Sequence, residues 1–235
     1  MVNTTGSYEV MEKAREEGRT ILTEIESKQL LRSLGISTTE IRLATSEEEA
    51  MAMSREIGYP CVLKVSSADI THKSDAGGVK VGLADADQVA RAYRAIMASC
   101  RAKFPQAAIE GVTVQNMARP GLEVIIGMAT DPQFGPVIMF GLGGVWVEVL
   151  KDVSFKIVPL TKADAANAVR EIRAARLLEG FRGSKPVDTS ALEDILLRVS
   201  EFVAQTPQVK EMDLNPVFAY PDGAVAVDAR VILGE

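Results

Sequence analysis

Four polar residues near the C-terminus, Asp213, Asn215, Asp228 and Arg230, fall in a stretch that reads as one hairpin turning at Pro221-Asp222-Gly223. Centring the turn on Pro221-Asp222 sets Asn215 opposite Asp228 and Asp213 opposite Arg230. Period-two alternation then puts all four on one face and leaves Met212, Leu214, Val227, Ala229 and Val231 for the other. A bulge at Gly223 would shift that register by one. Asn215 and Asp228 together offer two hard oxygen ligands, a set that suits Mg²⁺, which takes one or two protein oxygens and completes its shell with nucleotide phosphates and water. The same geometry fits a solvated hairpin face with an Asp213–Arg230 cross-strand pair.

A second group lies in the first half. Lys64 interrupts the apolar strand "CVLKV", where an ammonium has to snorkel, face an edge or meet an anion. Residues 66–78, "SSADITHKSDAGG", form the longest polar stretch of that half, and loops of about 12 residues or more are commonly functional or disordered. Its closing pair, Gly77-Gly78, is of the kind whose backbone can approach a phosphate and donate N–H groups to it. His72 is the one histidine of the chain and sits near the middle of the loop. About six residues on either side can carry it about 20 Å, and a neutral imidazole is a nucleophile; an exposed surface histidine is the plainer reading.

The elements that hold these residues follow from pattern. The first ~20 residues read as an irregular or loosely helical arm. Thr23 with Glu26 reads as a capping box opening a helix that Gly35 stops, and Ser46 with Glu49 as a second, its helix closing at Gly58. Strands are expected at residues 41–44, 61–65, 79–83, 112–117, 122–129 and 137–140, and a long helix at 86–103. "GLGGVWVEV" (141–149) reads as a Gly-rich turn entering a strand, followed by helices at about 162–179 and 190–205. Strands separated by helices early and by turns late favour two mixed α/β lobes over a doubly wound parallel sheet.

Composition removes several classes of chemistry. With one His and two Cys in 235 residues, the chain cannot build a His-rich or Cys-rich zinc site or an iron–sulfur cluster on its own thiolates. Cys61 and Cys100 are expected to be reduced thiols without a function. Thirty-two acidic against 26 basic residues, a net charge of −6, argue against sequence-independent nucleic-acid binding. No apolar run reaches the roughly 18–20 residues of a membrane span, and the start of the chain is polar and not signal-like, so a cytoplasmic protein is expected.

Several long segments in a fixed order carry a resemblance. "ESKQLLRSLGI", "GYPCVLKVSSADITHKSDAGGVKVGL", "GLEVIIGMATDPQFGPVIMFGLGGVWVEVLKDVSFKIVPL" and "EMDLNPVFAY" are similar to the β subunit of ADP-forming acyl-CoA synthetases of the acetate–CoA ligase type. More distantly they resemble the ATP-grasp region of succinyl-CoA synthetase β subunits, whose corresponding loop lacks the histidine of "ITHKSDAGG". The resemblance runs from about residue 21 to the C-terminus. It implies an α+β ATP-grasp fold, lobe one about 21–115 and lobe two about 116–235, holding ATP or ADP between them. Lys64 matches the lysine on nucleotide phosphate, with Gly77 and Gly78 following it. Gln115, Asn116 and Met117 match the strand at adenine, and Glu123 the carboxylate at ribose. Asn215 and Asp228 match the Mg²⁺ ligands. His72 matches the histidine that takes a phosphoryl group from a CoA-binding α subunit and passes it to ADP, within an α2β2 heterotetramer. Asp213 is a candidate to support phospho-His72, its rival role being the Arg230 pair. The reaction implied is acyl-CoA + ADP + phosphate giving acid + CoA + ATP. A stand-alone ATP-grasp carboxylate ligase and a non-catalytic nucleotide-binding module are the alternatives, since function belongs to sites and not to folds.

Overall fold

The computed structural model describes residues 5–70, 72–144, 151–181 and 183–234. The strand expected within 145–149 lies outside them. The chain divides into two compact units, one comprising Thr39–Arg119 and the other the described residues up to Thr38 together with those from Pro120 on.

The smaller unit is a four-stranded antiparallel sheet. Its strands are β1 (Ile41–Ala44), β2 (Cys61–Ser66), β3 (Val79–Leu83) and β4 (Gly111–Asn116), in the order β1-β4-β2-β3. Helices α3 (Glu47–Ile57) and α4 (Ala86–Lys103) pack on one face, where Leu63, Val65, Val112, Val114, Val89, Ile96 and Cys100 form the core. Alternation accounts for the split: Leu63 and Val65 point to the helices, and Lys64 between them to the opposite face.

The larger unit is built on a six-stranded antiparallel sheet of β5 (Leu122–Asp131), β6 (Gly135–Leu142), β7 (Val153–Ile157), β8 (Val209–Tyr220), β9 (Gly223–Ala226) and β10 (Ala229–Leu233). The order is β10-β8-β5-β6-β7, with β9 also paired to β8. Helices α1 (Thr5–Glu16), α2 (Glu24–Ser33), α5 (Lys162–Glu171) and α6 (Thr189–Gln205) bury their apolar stripes on Val124, Ile126, Met128, Ile138, Phe140, Met212 and Leu214. The other face carries the intervening residues of the same strands.

The capping box at Thr23 and Glu26 is present, and Gly35, at φ +77°, ends α2 with its N–H donating to the Arg32 carbonyl. At the start of α3 the Ser46 side chain accepts from the Glu49 N–H, but the Glu49 carboxylate reaches back to the N–H of Thr45. The helix expected at 162–179 stops at Glu171 and resumes as a short 3₁₀ turn, Ala175–Leu177, because the buried Asp152 carboxylate takes the N–H groups of Arg173 and Ala174. Strand β7 has no counterpart in the sequence reading. No described helix is long and apolar enough to cross a membrane.

Of the two readings of the N-terminal arm, irregular or loosely helical, the helical one agrees with the structure, and the helix Thr5–Glu16 has Met11 and Ala14 buried. One expectation about this region is corrected. Residues 21–38, assigned from sequence to the first lobe, belong with the C-terminal unit: Leu30, Leu31 and Leu34 are fully buried in its core, and Ile21 bridges Ile232. On α2 the wholly buried Lys28 ammonium lies 3.1 Å from Glu24 Oε1.

Candidate functional site

The hairpin has the register its turn implies. Arg230 pairs with Asp213, Ala229 with Leu214 and Val231 with Met212, while Val217 to Tyr220 pair in sequence with Ala226 to Gly223. Asn215 donates its N–H to the Asp228 carbonyl at 3.3 Å. Met212, Leu214, Ala229 and Val231 are buried as expected, but Val227 is not the core residue; Ala226 is. The reason is a register shift between Val124 and Ile126 of β5, across from which the inward-facing positions of β8 change parity, from Leu214 to Val217.

Asp213, Asn215 and Arg230 open into a groove of about 730 Å³ on the face of the large sheet opposite its helices, whose floor includes Ile125, Gly127 and Met139 and whose flank includes Phe155. Asp228 is half-buried beside it, and its Oδ1 accepts the Ala229 N–H at 2.8 Å. Desolvation raises the Asp213 carboxyl above the ordinary carboxylate range; Arg230 pulls it back down, and Asp228 and Glu211 push it further up. Glu123, exposed at the start of β5, borders Gly143 and Gly144, with its carbonyl accepting the Gly143 N–H at 2.8 Å.

In the smaller unit Lys64 is 7 % exposed on β2, an interior strand, so it is not an edge-facing lysine. It pairs with Thr113 on one side and Val79 on the other. Gln115, also buried, donates from Nε2 to Thr113 Oγ1 at 3.1 Å. Asn116 turns its Oδ1 to the Glu40 N–H at 2.7 Å, and Met117 is exposed with its N–H on the Pro60 carbonyl. Lys64 and Gln115 therefore share one face of the small sheet, while the Asn116 side chain serves the chain entering β1.

His72 is exposed at the start of a single helical turn. The Ala76 N–H donates to the His72 carbonyl, Gly77 to Ser74 and Gly78 to Lys73. The last two bonds, with Gly77 at φ +72°, make a Schellman stop. A Cβ on Gly77 would sit 2.7 Å from Ser99 Oγ, and one on Gly78 2.6 Å from Val65 Cγ1. Both glycine N–H groups are thus engaged inside the turn, and the donors expected to face phosphate close the loop instead. The segment is also pinned to α4: Ser99 Oγ donates to the Ala76 carbonyl and Lys103 Nζ to that of Asp75, both at 2.7 Å. Ile70 and Ala76 are buried beneath it. Sequence reasoning gave no sign of Ser99 and Lys103, because a side chain that holds a distant carbonyl leaves no spacing pattern.

Among the described residues no cluster of three or more His, Cys, Asp or Glu is placed to hold an ion. Asn215 and Asp228 supply hard oxygens only, so an ion there draws its remaining ligands from phosphate and water, as Mg²⁺ does. The donor set fits that ion and no thiolate- or imidazole-seeking one.

The sequence matches the ATP-grasp domain family over residues 13–233. It is 51% identical to the β subunit of ADP-forming acetate–CoA ligase I of Pyrococcus furiosus, over 96% of this chain and 97% of that one. ADP-forming acetate–CoA ligase I of Archaeoglobus fulgidus is 48% identical over 97% of this chain, which spans 33% of that longer protein. Among solved structures, acetyl-coenzyme A synthetase 1 of Candidatus Korarchaeum cryptofilum, in complex with coenzyme A and Ca-AMPCP, superposes with a TM-score of 0.94 at 51% identity, covering 97% of this chain and 100% of that one. The same protein with Mg-AMPPCP, its phosphohistidine segment pointing towards the nucleotide-binding site, gives 0.86 at 48% identity, again over 97% and 100% of the two chains. With near-complete coverage in sequence and in fold, and with the hairpin and the histidine turn both in place, the chain belongs to the ATP-grasp family, among the β subunits of ADP-forming acetate–CoA ligases.

Proposed function

We propose that this chain is the nucleotide-binding β subunit of an ADP-forming acyl-CoA synthetase and relays a phosphoryl group through His72 to ADP. The observation that carries the reading is an exposed, sole histidine on a pinned turn, in a chain similar over its whole length to subunits of that enzyme. In the full cycle acyl-CoA and phosphate give an acyl phosphate and CoA on the α partner. The phosphoryl group passes to a histidine there, releasing the acid. A ring nitrogen of His72, through its lone pair, then attacks the phosphorus: its P–N bond forms as the donor's breaks, and the departing imidazole takes up a proton. Attack by the terminal phosphate oxygen of ADP forms the P–O bond of ATP and returns His72.

The residues divide this work by type. Lys64, buried and cationic, opposes phosphate charge; Gln115 and Met117 are assigned to the base and Glu123 to the ribose hydroxyls. Asn215 and Asp228 would hold Mg²⁺, which when bound would neutralise charge on the nucleotide phosphates. Asp213 serves the phosphorylated imidazole, as carboxylates orient imidazoles elsewhere. A partner is implied because a relative carries this chain's equivalent as one third of a single longer polypeptide, and the assembly proposed is α2β2. Sedimentation of the reconstituted complex tests that stoichiometry.

The test of the relay is chemical. The chain, its α partner, acyl-CoA and radiolabelled phosphate are mixed without nucleotide, and acid-labile label is followed on each subunit. Label on the wild-type β chain and none on His72→Asn supports the relay; equal label on both removes it. A stand-alone ligase would turn over a small acid with ATP unaided by any partner.

A further inference from the structure

On the face of the large sheet opposite its helices, β5 presents Glu123, Ile125, Gly127, Ala129 and Asp131 in turn. Gly127 pairs with Asp213 on β8 and with Met139 on β6, so the one position without a side chain lies directly between a carboxyl group and a flexible apolar one. The groove passes over it. A glycine inside a strand marks a bulge or a close approach by something else. The register shift of β5 against β8 falls before it, between Val124 and Ile126; Gly127 itself pairs in register with Asp213 and with Met139, and it is not among the glycines with positive φ. A Cβ would meet nothing nearer than Met139 Cε at 3.2 Å, the mobile end of a long side chain. Neither backbone conformation nor packing within the unit requires glycine at this position. About 13 Å of strand separates it from Glu123 at the proposed ribose end, beyond the neighbourhood of Asn215.

We propose that Gly127 is a clearance residue: the notch it leaves beside Asp213 receives a phosphorylated imidazole ring, flat against the peptide plane, with the carboxyl group at its edge. The proposal rests on the relay reading and adds to it the place where the ring is received. Two rings have that chemistry, phospho-His72 of this chain and the phosphohistidine of the partner, and they act in different steps. In the first step the partner's P–N bond breaks as that to His72 forms. In the second the His72 P–N bond breaks as the P–O bond to ADP forms, the imidazole leaving with its electron pair and a proton from water.

The test is Gly127→Val in the reconstituted complex, with Gly127→Ala as the smaller step. Both suit a strand and should leave the melting temperature at or above that of the wild type. The expected result is an unchanged dissociation constant for Mg·ADP with phosphoryl transfer slowed at least 50-fold in Gly127→Val and less in Gly127→Ala. Slow labelling of the β chain by the partner assigns the notch to the partner's ring; slow discharge of pre-labelled β chain by Mg·ADP assigns it to His72. Both steps within threefold of wild type in both variants would overturn the proposal, as would loss of Mg·ADP affinity in proportion to rate, which would give the notch to the nucleotide. A wild-type β chain that takes no label at all overturns the relay and this proposal with it, a result distinct from either.

Discussion

Arg230 stands directly across the strand pair from Asp213, yet its ion pair runs diagonally, from Nη2 to Glu211 Oε2 at 3.7 Å. From its cross-strand position the arginine moderates the charge of Asp213, while its 3.7 Å contact is to Glu211. A carboxyl group raised above its ordinary range by partial desolvation and by two neighbouring carboxylates is the kind of group that gathers at functional sites.

Asp213→Asn should raise stability at neutral pH while abolishing transfer through His72. A carboxyl whose folded pKa is raised favours the folded state below the ordinary carboxylate range, and that contribution is lost as pH rises through the raised value. The amide has no charge to desolvate. Thermal melts from pH 7 downward should show the variant above wild type, the gap closing near pH 4, about the unperturbed value of an aspartate.

Gly77→Ala should destabilise the histidine turn. A left-handed conformation costs an L-residue about 1–2 kcal/mol, and the new methyl group would also push on Ser99. Melting should fall by about 2–4 °C per kcal/mol, and labelling of His72 should fall with it. Binding of Mg·ADP, which this turn is not proposed to contact through its glycine N–H groups, should be unchanged by calorimetry.

Asn215→Ala and Asp228→Ala should each weaken Mg·ADP binding about 10-fold or more, equivalent to about 1.4 kcal/mol. ADP titrated in EDTA should bind both variants as it binds wild type. Equal losses with and without the ion would mean that the pair supports the fold and not the cation.

Both cysteines should resist thiol reagents in the folded protein. Cys61 and Cys100 are buried, and desolvation pushes the Cys61 thiol up to about 11, so little thiolate forms at pH 8. A colorimetric thiol assay should find no fast-reacting group in the native chain and two after guanidinium.

The Glu24–Lys28 pair gives a stability test remote from the chemistry. Lys28→Ala takes a 3.1 Å cationic partner from the buried Glu24 carboxylate and should cost up to about 3–5 kcal/mol, whereas replacing both residues with apolar ones of similar volume should recover most of it. Urea denaturation of the two variants makes the comparison.

What was legible in the sequence was local or periodic. The helix at 86–103 and the strand at 41–44 have the bounds that alternation and capping imply, and a two-residue turn at Pro221-Asp222 fixed the pairing of Asp213 with Arg230. What was not legible depends on partners distant in the chain. The apolar stripe of α2 reads the same whichever sheet it covers, so Leu30 and Leu34 gave no hint that they belong to the C-terminal unit. The Gly77-Gly78 pair reads from sequence as a phosphate loop, and its role as a helix stop rests on Lys73, Ser74 and Ser99, which the reading did not bring in. Val227 was misassigned because alternation fails where the register shifts opposite β8.

The N-terminal segment that bridges to β10 also bears on how the protein is made. Thr39–Arg119 is an excursion from the larger unit, leaving after Thr38 and returning at Pro120. A ribosome therefore releases the smaller unit whole while α1 and α2 still lack the strands they cover, because β5 to β10 all follow Arg119 in the chain. Until then Leu30, Leu31 and Leu34 have no sheet to bury against, and the exposed stripe of α2 is where a nascent-chain chaperone would be expected to bind.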